Sequence, residues 1–119
     1  MLEGLWSVEI GLKETQMEGA GVVVFENQRV LGGSSNYFYK GSYEVKDGAV
    51  QGEVEVTFYG RNVSPIFKSL TNADRRKFHI RFSAKQPRGN YFNLQNYVVE
   101  DPKMEIFVHL AKKANLPEA

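Results

Sequence analysis

The stretch "VLGGSSNYFYKGSYEV", residues 30–45, holds three glycines, four tyrosines or phenylalanines and two adjacent serines, with no proline. Three readings compete for it: a binding loop, an exposed platform for stacking bases, or a strand that turns a corner. Alternation favours the strand. Tyr37, Tyr39, Gly41, Tyr43 and Val45 fall on one side, and Phe38, Lys40, Ser42 and Glu44 on the other. That two-residue period belongs to an extended segment with one enclosed face. Gly32 and Gly33, followed by two serines, end the preceding strand in a turn. Gly41 inside the strand marks a bulge, a sharp bend or a close backbone approach. Three tyrosines on one enclosed face bring hydroxyls that need partners. The face therefore lines a polar barrel interior or a cavity rather than a dry core.

The same period runs outward in both directions. "AVQGEVEVTFY" sets Val50, Val54, Val56 and Phe58 against Gln51, Glu53, Glu55 and Thr57. "RKFHIRFSA" sets Phe78, Ile80, Phe82 and Ala84 against Lys77, His79, Arg81 and Ser83. "MEIFVHL" places Met104, Ile106, Val108 and Leu110 inward, and "LWSVEI" does so with Trp6, Val8 and Ile10. Weaker strand signals cover residues 21–26, 29–33, 37–45 and 91–98. The total is about eight strands, the number of a small closed antiparallel barrel. Asp47-Gly48, the pair Asn27-Gln28 and "QPRGN" at 86–90 supply hairpin turns. "GAG" at 19–21 reads as a turn as well, because it lacks the third glycine of a dinucleotide fingerprint. In the longest break, residues 60–74, Ser64 and Pro65 can open a helix. A short helix or 3₁₀ turn is expected near 64–70. The tail from 114 to 119 is expected to be loose. The fold class is thus all-β, a single antiparallel up-and-down barrel filling residues 1–119.

The 119 residues suffice for one domain that folds without metal or disulfide. There is no cysteine, so thiolate catalysis, disulfides and cysteine zinc sites are excluded, and a cytoplasmic setting is expected. The first ten residues have neither a basic start nor a long apolar run, so no signal peptide is expected, and no segment has the composition of a membrane helix. The net charge of +1 hides an asymmetry: residues 1–60 carry nine acidic and four basic side chains, and residues 61–119 carry five acidic and eleven basic ones. Either the basic half faces an anionic partner or the halves pair with each other.

The chain has no G-x-S-x-G, H-E-x-x-H or G-K-[ST] loop, and the spacing of Ser34, Ser35, Asp47 and the histidines supports no triad. No enzymatic activity and no cofactor are expected. His79 and His109 are the only histidines, both on outward positions, and no metal site is expected. "RRKFHIRFSAKQPRGNYF" interleaves basic and aromatic residues, as a single-strand nucleic-acid binder would. Its phase argues otherwise. Stacking needs aromatics and cations on one exposed face, whereas Phe78 and Phe82 alternate with Lys77 and Arg81. If the strands carrying Glu53, Glu55, Lys77 and Arg81 are neighbours, the carboxylates cancel the basic stripe, each pair being worth about 0.2–1 kcal/mol. Phe38, Tyr59 and Phe107 point outward and form a candidate partner or dimer surface, with Glu53 and Glu55 nearby.

Four segments resemble the GrlR-like family of small negative regulators of type III secretion: "GLWSVEI" (4–10), "GAGVVVFENQRVLGG" (19–33), "YFYKGSYEV" (37–45) and "GEVEVTFY" (52–59). The resemblance implies a lipocalin-like barrel that dimerises. It also implies regulation by holding a transcriptional activator inactive, with no enzymatic step. Where that family uses a short run of alternating acidic residues, this chain has only Glu100-Asp101 and the pair Glu53 and Glu55. Three readings follow. The first is a cytoplasmic regulator acting by protein–protein contact as a homodimer. The second is a carrier of a small apolar ligand or lipid, lined by Trp6, Tyr37, Tyr39, Tyr43, Phe58 and Phe82. The third is a single-strand nucleic-acid binder. Whether the interior is filled or hollow separates the first two.

Overall fold

The computed structural model, which describes residues 2–61, 76–87 and 89–118, is a closed barrel of eight antiparallel strands. In chain order these are β1 (Gly4–Lys13), β2 (Gln16–Glu26), β3 (Arg29–Gly33), β4 (Tyr37–Lys46), β5 (Ala49–Phe58), β6 (Lys77–Lys85), β7 (Tyr91–Val98) and β8 (Asp101–Ala114). Each strand pairs with the next in sequence, and β1 pairs with β8 to close the ring. Closure removes every free sheet edge that an open meander of this length would leave. The helix or 3₁₀ turn expected near 64–70 lies outside the described residues. β8 runs through Ala114, which sits opposite Leu5, and residues 115–118 have no regular structure.

The turns at 27–28 and 47–48 are two-residue hairpins, as the sequence signals. Asp47 and Gly48 have φ of 54° and 77°, and Asn27 and Gln28 have 50° and 65°. Both pairs therefore have the left-handed geometry that matches the twist of the flanking strands. Gln28 is the costly member, since a side chain in this region costs about 1–2 kcal/mol. Gln28→Gly is expected to raise stability by about 1 kcal/mol, read as a higher urea midpoint at unchanged slope.

The three-residue segment at 19–21 is a correction to the sequence reading: it is not a turn. Register passes from Ser7 opposite Val22 to Glu9 opposite Gly19, and Gly21 has φ of 86°. The glycines form a β-bulge inside β2, which starts at Gln16. No apolar alternation marks the first residues of β2. Pairing with β1 makes them a strand. Gly41 is resolved in the other direction. It lies opposite both Val30 and Val54 in uninterrupted ladders, so β4 has no bulge there. A Cβ at Gly41 would overlap the Glu53 carbonyl and lie 2.8 Å from the Val54 Cα. Close backbone approach is the reason for this glycine. Gly52 has a related role, because a Cβ there would lie 2.7 Å from the tip of the Phe82 ring.

The phase of the strands is as the alternation requires. Phe78, Ile80 and Phe82 are buried, and Lys77, Arg81 and Ser83 between them are exposed. Trp6, Phe25, Tyr43 and Phe92 pack at one end of the barrel, with ring centroids 5.3–6.4 Å apart in edge-on or tilted pairs. Tyr37 and Phe58 pack at the other end, 5.4 Å apart, with the Arg76 guanidinium 5.4 Å from the Phe58 centroid. Aromatic pairs of this geometry add about 0.5–1.5 kcal/mol beyond the area they bury.

Candidate functional site

The barrel interior holds all six side chains named above as a ligand lining. Trp6, Tyr37, Tyr39, Tyr43, Phe58 and Phe82 are each buried. Only Tyr39 and Phe82 border the central cavity, whose other walls include Val8, Val54, Val56 and Leu110. Trp6 and Tyr43 belong to one aromatic end and Tyr37 and Phe58 to the other. The cavity measures about 70 Å³. Sites for drug-sized ligands measure about 300–1,000 Å³, so the interior is close to filled. The expected polar lining is not what the tyrosines make. The Tyr39 hydroxyl donates to the Ala20 carbonyl at 2.8 Å, and the Trp6 indole donates to the Leu2 carbonyl at 2.8 Å. Burial pushes the Tyr39 phenol up to about 12, so it stays protonated and keeps donating.

One side of the exterior is a lattice of charge pairs across β4, β5 and β6. Arg81 faces Glu53 and donates to it at 3.0 Å, and Lys77 reaches Glu55 at 3.3 Å. Lys40 on β4 lies directly opposite Glu55. The acidic first half and the basic second half of the chain thus meet here. His79 is tied more closely than a solvated surface histidine. Its backbone N–H donates to Glu100 at 2.7 Å, and its Nδ1 lies 2.6 Å from the other oxygen of the same carboxylate. Val99 also donates its N–H to the His79 carbonyl at 2.8 Å. The turn between β7 and β8 is therefore clasped onto β6. No periodic signal marks that clasp, because Glu100 sits in a turn. His109 stands opposite Glu9 and Asn93. Among the described residues no group of three or more His, Asp or Glu side chains could hold a metal ion.

Burial raises the Glu100 carboxyl, but the hydrogen bonds from His79 outweigh it, and the net shift is downward. A carboxylate shifted down in the folded state adds stability above its unfolded value of about 4.3. That stability is lost as pH falls through the folded value. Glu100→Gln is expected to lower stability at pH 7, with the deficit shrinking as pH drops below about 4. Urea titrations of parent and variant at the two extremes check this. A deficit of constant size across that range would assign the effect to packing instead.

The outer face of β1 to β4 carries an apolar strip. In one cross-strand row Leu5 lies opposite Val24, and Val24 opposite Leu31. In the adjacent row Ser7 lies opposite Val22, Val22 opposite Gly33, and Gly33 opposite Phe38. The second row crosses β1 to β4 without a charged side chain, a width of about 15 Å; the first does so from β1 to β3 and ends on β4 at Lys40, which borders the charge lattice. Leu31 is 59 % exposed, Val22 42 % and Phe38 41 %. Phe38 also meets Tyr59, with ring centroids 5.7 Å apart, and the Tyr59 hydroxyl donates to the Ser34 carbonyl at 2.6 Å. Of the residues read from sequence as a partner surface, Phe38 and Tyr59 come together. Phe107 does not join them: it is half-buried on β8, opposite Gly11 and Gln95. Glu53 and Glu55 are engaged by Arg81 and Lys77. Leu5 and Leu31 escape a sequence reading because each lies singly on the outer face of its strand, and Val22 and Val24 because the unbroken run Val22-Val23-Val24 shows no alternation. Only the register brings them into one strip.

No protein-family signature matches the chain, and no curated protein sequence matches it either. Among the described residues, no helix is long and apolar enough to cross a membrane.

Proposed function

We propose that this chain is a non-enzymatic regulatory binding protein of the cytoplasm that works by protein–protein contact. On this reading it acts as a homodimer and holds a partner inactive, as the GrlR-like regulators it resembles hold a transcriptional activator. The observation that supports the reading is the apolar strip of Leu5, Val22, Val24, Leu31 and Phe38 across β1 to β4. A contiguous apolar strip on an otherwise charged surface is a common mark of a protein interface. The charge pairs of β5 and β6 satisfy one another and demand no partner. The cavity of about 70 Å³ counts against a carrier of lipid. The pairing of Arg81 and Lys77 with Glu53 and Glu55 counts against a nucleic-acid face.

The test is co-purification from the cells that express the protein, comparing the parent with Val22→Asp/Leu31→Asp. Both sites are exposed, so the barrel is expected to keep its circular dichroism spectrum. The parent is expected to bring down a stoichiometric protein and to sediment as a dimer. The variant is expected to lose the co-purified protein at least tenfold. Equal recovery by both would reject this face, and a parent that stays monomeric and brings down nothing would reject the reading.

A further inference from the structure

On the opposite side of the barrel, β4 to β8 form an open depression of about 1120 Å³. Its concavity has local causes. Ser42 and Ser83 put short side chains on the floor, with Gln51, Gln95, Arg81 and Tyr97 around them. Along β8, register jumps from Asp101 opposite Val98 to Glu105 opposite Tyr97, and the extra residues place Pro102 on the rim. The functional groups are mostly neutral amides and hydroxyls. The one guanidinium is spoken for: Arg81 donates to Glu53 at 3.0 Å and to the Tyr97 hydroxyl at 3.4 Å, which also fixes the ring. Gln51 is oriented by donating to Glu44 at 2.5 Å.

We propose that this depression binds a neutral polyhydroxylated ligand, an oligosaccharide chain. Each sugar hydroxyl both donates and accepts, and each glutamine amide and serine hydroxyl does the same, so the two sets match without an ion. The Tyr97 ring, 36 % exposed, offers a face for the C–H side of a pyranose. A polyanion would meet Glu44, Glu53 and Glu105 in the same depression, and a purely apolar ligand would leave the amides of Gln51, Gln95 and Asn96 and the serine hydroxyls without partners. A cationic peptide would be drawn by those carboxylates but would face the Arg81 guanidinium on the floor. The proposal is independent of the strip on β1 to β4, so either can fail without the other.

The test is a ¹⁵N–¹H NMR titration of the full chain with cellohexaose, maltohexaose and chitohexaose, each to about 10 mM, a weak-binding range. Hexalysine is titrated in parallel. The expected result is movement of the Gln51, Ser83, Gln95 and Tyr97 amides with at least one sugar. Tyr97→Ala is expected to weaken that binding at least tenfold. Should Tyr97→Ala lose the barrel, Gln95→Ala, at an exposed site, carries the same expectation. No movement with any of the three sugars, or movement with hexalysine alone, would overturn the proposal, as would unchanged affinity in a folded variant.

Discussion

Trp6→Ala is expected to destabilise the barrel by about 3–5 kcal/mol, the range for removing a buried tryptophan. Trp6 is fully buried and packs on Phe25 and Phe92, with ring centroids 6.4 Å and 5.9 Å away. Its indole N–H satisfies the Leu2 carbonyl, and the Lys112 ammonium lies 5.9 Å from its ring. Alanine leaves a void at the closed end, an unpaired carbonyl and a cation without its ring. The loss is a large part of the 5–15 kcal/mol that holds an ordinary domain together. Urea unfolding followed by tyrosine fluorescence measures it. A loss below about 1 kcal/mol would mean that Phe25, Tyr43 and Phe92 collapse into the space, and the aromatic end would then not be a close-packed plug.

The second large effect is expected at Gly41. Valine there has no room, because the added carbons meet backbone atoms of Glu53 and Val54 rather than a side chain that can move aside. Backbone φ is not the obstacle, since Gly41 is not among the glycines of positive φ. Relief requires β4 and β5 to separate through the middle of a ladder that runs from Tyr37–Phe58 to Lys46–Ala49. Gly41→Val is expected to cost about 3 kcal/mol, at the upper end for overpacking. It is also expected to speed hydrogen exchange at Val54 and its neighbours. Gly48→Ala makes the contrast: space is open there, and the penalty comes only from the positive φ of 77°. A Gly41→Val protein as stable as the parent would remove the close-approach account of this glycine.

The barrel was legible in the sequence because period-2 alternation reports one enclosed face per strand, and Phe78 to Phe82 obey it without exception. The charge lattice was legible too, since Glu53, Glu55, Lys77 and Arg81 all sit at outward phases of adjacent strands. What escaped has physical reasons. The first half of β2 is polar and glycine-rich, so its strand character comes from its neighbour and not from itself. The strip on β1 to β4 is spread over four segments and exists only once register aligns Leu5 with Val24 and Leu31. The Glu100 clasp on His79 depends on a turn wrapping back by 21 residues. The size of the central cavity depends on how far Tyr39, Phe82 and the aliphatic side chains around them fill the ring, which composition does not encode.

The pairing of β1 with β8 has a consequence in time. Ser7 and Ala111 touch across 104 positions of chain, so the seam cannot form until β8 has left the ribosome. Until then the nascent meander carries two bare borders at once, at its first strand and at its latest one. Non-local pairing of this kind places folding in the millisecond-to-second range. The interval before the seam zips is when a neighbouring nascent chain can pair in its place.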